Sequence, residues 1–293
     1  LYIMGENPMI ADPDITHVDH ALDNLEFLVV QDIFLTETAE KAHVVLPAAC
    51  FAEGDGTQTN TERRVQRLRK AQDPPGEAKL DWQILAAVAA ALGYEKQFAW
   101  KTYEDIFNEI ALLTPSYHGM TYERLNKPEA LHWPCPEADH PGTPILHTQQ
   151  FNGMPDGKGL MTAIAWKPPA EVPDAEYPFV LTTGRILFHW HAGSMSRRSP
   201  QLHGEVPTGY VEVNEEDAAR LGIANGEIIR AFSRRGEIKV PARVTKDIKK
   251  GSIFIPFHFA ECCANVLTIN ALDPISKIPE FKACAANIAK LEA

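Results

Sequence analysis

Between Gly184 and Gly204 the chain reads GRILFHWHAGSMSRRSPQLHG, twenty-one residues without a carboxylate in a protein whose formal net charge is -11. Arg185, Arg197 and Arg198 stand there with His189, His191 and His203, among the small residues Gly184, Gly193, Ser194 and Ser196. Guanidinium forks pair well with phosphate or carboxylate oxygens, and the backbone N–H groups of a loop rich in small residues add further donors. That chemistry is the binding of a small anion. The acidic whole argues against nucleic acid, which calls for a broadly basic face. His189-Trp190-His191 on a strand would put both imidazoles on one face, as a metal pair needs, but no third ligand stands at matching spacing. For Arg197 and Arg198 a solvated basic loop is the competing reading.

A second group of candidate residues lies at His258-Phe-Ala-Glu-Cys262-Cys263. One histidine and two adjacent thiols suggest a metal, yet there is no C-x-x-C pair and the surroundings are apolar, which favours ordinary buried thiols. The chain has 5 cysteines, an odd number, and shows no secreted disulfide framework; a reducing, cytoplasmic compartment follows, with a periplasmic one left open because a targeting signal would lie upstream. The longest apolar run, Ile84 to Leu92, is far shorter than the roughly 20 residues that span a bilayer, so no membrane span is expected.

Elements to position these residues can be read from the periodicity. Residues 1 to about 95 alternate strand and helix. YIM is followed by a turn at Gly5-Glu6-Asn7-Pro8, LEFLVV ends at Gln31-Asp32, Thr36 opens a short helix, and VVLP follows at Val44 to Pro47. This rhythm describes a parallel α/β unit, whose ligands sit beyond the carboxyl ends of the strands. Glu53 to Lys70 reads as a glycine-containing loop leading into a basic segment. Asp81 begins a helix that Gly93 can end, and Tyr103 to Leu113 reads as another. Residues 114–176, rich in Pro, Gly and His, read as a long ordered connection. From Tyr177 the pattern changes to short strands: PFVLTT, GYVEVN, a helix from Glu215 capped by Asn214, EIIRAFS, a tight turn at Arg234-Arg235-Gly236, EIKVPARV and SIFIPF. Such strands at regular spacing predict a small closed β-barrel. The fold class is therefore α/β plus β, divided as 1–113, 114–176 and 177–293. Because LYIMG is already a strand, the chain reads as a portion of something longer.

Taken together, YIMGENP (2–8), VVQDIFLTETA (29–39), VVLP (44–47), EGDGTQTNTERRVQR (53–67), LTTGR (181–185), HWHAGSMSRR (189–198), EEDAARLGI (215–223) and ANVLTINALDPISKIPEFKACA (264–285) resemble the C-terminal part of the catalytic subunit of molybdenum- or tungsten-dependent formate dehydrogenases. These enzymes belong to the oxidoreductases that carry two molybdopterin guanine dinucleotides. The resemblance implies a Rossmann-like α/β dinucleotide-binding domain followed by a double-psi β-barrel. It implies that Asp32 reads a guanine, whose N1–H and N2–H suit a carboxylate, with the Thr36 hydroxyl one helical turn on. A strand-ending Asp32 and a helix-capping Thr36 remain the plainer reading. Gly5 and Asn7 become candidates for nucleotide contact, a simple turn being their alternative. Gly184, Arg185, His189, His191, Ser194 and Ser196 would line the second dinucleotide, and Asn265 and Lys282 would reach the pterin or its phosphates.

The same resemblance places no catalytic residue in this chain. The cysteines of a [4Fe-4S] cluster, and the Cys or selenocysteine on the metal, belong to a part that this chain does not contain. It further implies the remainder of the catalytic subunit and an iron–sulfur or flavin electron-transfer subunit as partners, and formate or carbon dioxide as substrate. Two other readings stand beside it: a nitrate or other oxyanion reductase of the same superfamily, and a separately encoded cofactor-binding subunit without turnover of its own.

Overall fold

In the computed structural model, which describes residues 1–128, 130–151 and 153–291, the first strand β1 (Tyr2–Met4) is followed by helices α1 (Pro8–Ala11) and α2 (Ile15–Asp23). Strand β2 (Val29–Asp32), helix α3 (Glu37–Glu40) and strand β3 (Val44–Pro47) complete the segment. β1 and β2 pair in parallel, Tyr2 opposite Val29, within a sheet of order β1-β2-β3. Ile3, Leu28 and Val30 meet Leu22 and Ala39 in one core, which leaves the strand ends facing outward. Thr36 starts α3 by accepting the Ala39 N–H at 3.3 Å, a side-chain cap that fixes where the chain turns after β2.

The chain divides into two units, one of Leu1–Val45 with the segment from Trp166 onward and one of Leu46–Ala165. The second unit contains β4 (Gly56–Thr59), β5 (Arg64–Leu68), α4 (Asp81–Ala91), α5 (Tyr103–Leu113), α6 (Tyr122–Leu125) and β6 (Leu131–His132). Where the sequence reading has a loop and a basic segment, the structure has the antiparallel hairpin β4–β5. Its turn is made by the Asn60 side chain, which accepts the Arg64 N–H at 3.0 Å, and by Arg63 in a left-handed conformation with φ 71°. The α5 start is a capping box, Thr102 and Asp105 each accepting the other's N–H. Gly93, at φ 84°, ends α4 as expected.

In the first unit the later segment forms β7 (Phe179–Gly184), α7 (Pro200–Glu205), β8 (Val211–Asn214), α8 (Glu215–Leu221), β9 (Ile228–Phe232), β10 (Glu237–Thr245), β11 (Ser252–Pro256) and β12 (Cys284–Lys290). The strands close in the order β10-β8-β11-β7-β12-β9. β7 runs parallel to β11 and β8 parallel to β10, while β11–β8, β12–β7, β12–β9 and β10–β9 are antiparallel. Alternate residues such as Phe179, Leu181, Val213, Ile229, Val240, Ile253 and Ile288 fill the interior, as a period of two requires. The closed barrel agrees with the sequence reading, which lacks only β12. Its sequence CAANIAK is short in β-branched and aromatic residues, the usual strand signal, and pairing with both neighbours holds it.

Candidate functional site

β7 delivers Gly184 to the rim of the barrel, where a Cβ would lie 2.8 Å from the Phe254 ring. The chain then leaves as a loop. Arg185, the first residue outside, is exposed and lies over the Trp190 ring at 4.8 Å from its centroid, with His191 ring nitrogens 3.4 and 3.5 Å from Nη2. Among the described residues it makes no ion pair with a carboxylate, in contrast to Arg197. Arg197 is held by Glu261 through two bonds of 2.7 and 2.9 Å, and Arg198 lies over the Phe34 ring and donates to the carbonyls of Ser194 and Leu35. Of the three arginines in the carboxylate-free stretch, Arg197 alone is neutralised by a carboxylate; Arg198 is spent on carbonyls and the Phe34 ring, and Arg185 is the one that lines the cavity described below.

The histidines divide in the same way. His189 is buried, with Nε2 2.8 Å from the Val206 carbonyl and Nδ1 3.2 Å from Ser196 Oγ. Ser196 Oγ in turn accepts the Trp190 N–H at 3.0 Å, so His189 and Ser196 brace the loop from within. His191 is exposed and sits at the mouth of a cavity of about 380 Å³. Arg185, His191, Asn265 and Lys282 share this cavity with Ala11, Ala192 and the rings of Phe257 and Phe281. Among the described residues no carboxylate lines it.

Lys282 donates from Nζ to the Thr183 carbonyl at 2.5 Å. Burial, and next the Arg185 charge, hold its pKa below the usual lysine value. Two cations that repel each other across a cavity walled by aromatic rings leave an electrostatic need for an anion. Asn265 also lines the cavity and is 2% exposed. Its amide donates to the Ile10 and Ala11 carbonyls at 2.8 and 3.2 Å and its oxygen accepts the Thr268 hydroxyl at 3.1 Å, which fixes the wall against α1.

Gly5, Asn7, Asp32 and Thr36 lie outside this cavity, at the carboxyl ends of β1 and β2. Gly5 takes φ 63° and donates its N–H to the Gln31 carbonyl at 2.9 Å. Asp32 Oδ1 accepts the Phe34 N–H at 3.1 Å, shaping the turn into α3. The Asn7 amide is buried and engaged: Nδ2 donates to Glu37 at 2.8 Å, and Oδ1 accepts the Thr38 N–H and hydroxyl. Asn7 Nδ2 also lies 3.4 Å from Ser194 Oγ, which joins the β1 loop to the loop after β7.

Phe257, Phe281 and His258 belong to this region without having been singled out as cofactor contacts by the sequence. For His258 the sequence raises a metal and sets it aside in favour of ordinary buried thiols at Cys262 and Cys263. The Cys262 and Cys263 thiols beside it are pushed up to about 12 and about 11, chiefly by burial, and so are protonated at neutral pH. Among the described residues no group of three or more His, Cys, Asp or Glu side chains could hold a metal ion.

Residues 1–91 match the family of the Molybdopterin oxidoreductase, and residues 179–285 match the Molydopterin dinucleotide binding domain. The chain thus carries molybdopterin oxidoreductase and molydopterin dinucleotide binding domains. It is 55% identical over 291 residues to the F420-dependent formate dehydrogenase subunit alpha of Methanocaldococcus jannaschii, covering 99% of this chain and 43% of that protein. The assimilatory nitrate reductase catalytic subunit of Bacillus subtilis is 41% identical, with 98% of this chain and 41% of that protein covered. The chain thus spans less than half the length of these relatives. In fold it is similar to the acetylene hydratase from Pelobacter acetylenicus, with a TM-score of 0.78 at 21% identity over 99% of this chain and 44% of that one. Among the described residues no helix is long and apolar enough to cross a membrane.

Proposed function

We propose that this chain is the cofactor-holding part of a formate dehydrogenase that interconverts formate and carbon dioxide at a molybdenum or tungsten centre carrying two molybdopterin guanine dinucleotides. The observation that carries the proposal is the cavity that Arg185 and Lys282 line together with Phe257 and Phe281, with no carboxylate among the described residues around it. A flat, phosphate-bearing pterin matches that lining: aromatic walls for the ring system, two cations and the His191 side chain for its polar edge, with Asn265, whose amide is already engaged, holding the wall in place. Gly184 and Ser194 belong to the same cradle, while His189 and Ser196 support it from inside. Asp32, Thr36, Gly5 and Asn7 form the rim of a guanine pocket in a Rossmann-like domain (1–113), joined through 114–176 to a double-psi barrel domain (177–293).

When bound, the metal centre supplies the two-electron chemistry, and the protein supplies position and charge. Arg185 and Lys282 neutralise phosphate, and the Phe257 and Phe281 rings exclude water from the pterin face. The residues that meet formate are proposed to lie outside this chain, as are a [4Fe-4S] cluster and an iron–sulfur or flavin subunit that carries the two electrons away, with F420 as the final acceptor. A cytoplasmic site suits this acceptor. The 41% identity to a nitrate reductase supports a second reading, an oxyanion reductase. The native assembly separates them: formate-dependent reduction of F420 without nitrate turnover supports the proposal, whereas nitrate reduction without formate oxidation replaces it with the second reading.

A further inference from the structure

His258, the first side chain beyond Phe257 after β11, is completely buried and bridges two points of the loop after β7. Its Nε2 accepts the Ile186 N–H at 3.0 Å, and its Nδ1 lies 2.5 Å from the His191 carbonyl. A backbone N–H can only donate and a carbonyl can only accept, so the imidazole is neutral with its proton on Nδ1. One ring therefore spans the base of a loop whose two ends present Arg185 and His191 to the cavity.

The backbone around it is shaped to this bridge. His191 takes φ 46°, a conformation that a residue with a Cβ rarely adopts, and in it the carbonyl meets His258. Gly193, at φ 77°, lies so close that a Cβ there would be 2.4 Å from the His258 carbonyl oxygen. The imidazole is enclosed by Phe257, His189 and Phe259, with ring centroids at 5.0, 5.7 and 6.1 Å, so neither water nor another side chain replaces its two bonds.

We propose that His258 is a positioning residue for the cavity: its Nδ1–H tautomer clamps Ile186 and His191, and through them aims Arg185 and His191 at the phosphate-bearing ligand. The inference rests on the cavity reading above for the ligand, but not for the clamp. A ligand-only role for His258 is ruled out by the engagement of both ring nitrogens, and a space-filling role would need neither bond.

The test compares His258→Leu, which fills the site but makes neither bond, with His258→Gln, whose amide can accept from Ile186 and donate to His191. Both are made in the whole native assembly. Hydrogen exchange read by mass spectrometry over residues 185–193 and the guanine nucleotide content per chain are the two readouts. Loss of two hydrogen bonds predicts exchange on the order of ten- to thirtyfold faster in that segment for the Leu variant, with the barrel strands unchanged and nucleotide content reduced. The Gln variant is expected to recover most of both. If the Leu variant does not accumulate, His258→Asn, too short to span both groups, takes its place with the same expected direction. Parental exchange over 185–193 in the Leu or Asn variant, or equal damage in the Gln variant, overturns the proposal. A failure of the cavity reading shows separately, as unchanged nucleotide content in Arg185→Gln alongside a loosened loop in His258→Leu.

Discussion

Replacing Asn265 by alanine tests how the cavity is built. The side chain makes three hydrogen bonds in a site where it is 2% exposed: two donated, to the Ile10 and Ala11 carbonyls, and one accepted, from Thr268. The alanine variant leaves the buried Ile10 carbonyl with only a 3.9 Å contact to the Cys263 thiol and the half-buried Ala11 carbonyl without its donor, at about 1–3 kcal/mol for a group that water cannot reach. Thr268 keeps a 3.4 Å contact to the Asn265 carbonyl, so its loss is the smallest of the three. The expected cost is about 2–4 kcal/mol, a fall in Tm of about 5–15 °C for a folding unit of this size. Asn265→Asp sharpens the test, because its carboxylate would face two carbonyl oxygens with nothing to donate. Its folded pKa is then raised above the ordinary carboxylate value, so the destabilisation is present at neutral pH and is relieved as pH falls through that raised value. Calorimetry of the parent and the two variants between pH 5 and 8 reads all of this. A loss for Asn265→Ala of less than about 0.5 kcal/mol, or an Asp variant as stable as the parent at neutral pH, would refute the reasoning.

The buried His258 makes a pH prediction. Its pKa is lowered to about 4, first by burial and also by the charges of His189, Arg185 and His191, although its bond to the His191 carbonyl opposes this. The unfolded chain takes up the proton near 6.5, so the stability from this group is present above pH 6.5 and is lost as pH falls towards 4, by about 3 kcal/mol in all. Denaturation midpoints should therefore fall more steeply over that range for the parent than for His258→Gln. Gly193→Ala would place a Cβ 2.4 Å from a backbone oxygen at φ 77°, and a loss of about 3 kcal/mol or more is expected by calorimetry. Arg185→Gln removes a charge that lowers the Lys282 pKa, so a lysine titration followed by NMR should move upward. Alkylation at pH 8 should label the half-buried Cys50 well before Cys262 or Cys263, whose thiols burial holds protonated.

The barrel strands were legible because their interior residues alternate with period two, and α5 because Thr102 and Asp105 mark its start. β12 was not, since its alanines carry little strand preference and its place is set by the two strands it joins. The β4–β5 hairpin hid behind its basic residues, only Val65 of β5 being buried. The surplus of positive charge between Gly184 and Gly204 could be read from the missing carboxylates. How the arginines divide could not, because the partner of Arg197 is Glu261, sixty-four residues away. His258 stood in plain view beside two cysteines, but its use depends on a backbone N–H and a carbonyl that come from 72 and 67 residues earlier.

The central claim is that the cavity between Arg185 and Lys282 holds a phosphate-bearing pterin dinucleotide. Its most direct test is the guanine nucleotide and metal content of the native assembly, measured for the parent and for Arg185→Glu with Lys282→Glu. Two guanine nucleotides per molybdenum or tungsten in the parent, and fewer in a folded double variant, are predicted. A parent without guanine nucleotide, or a double variant that retains the full amount, would contradict it.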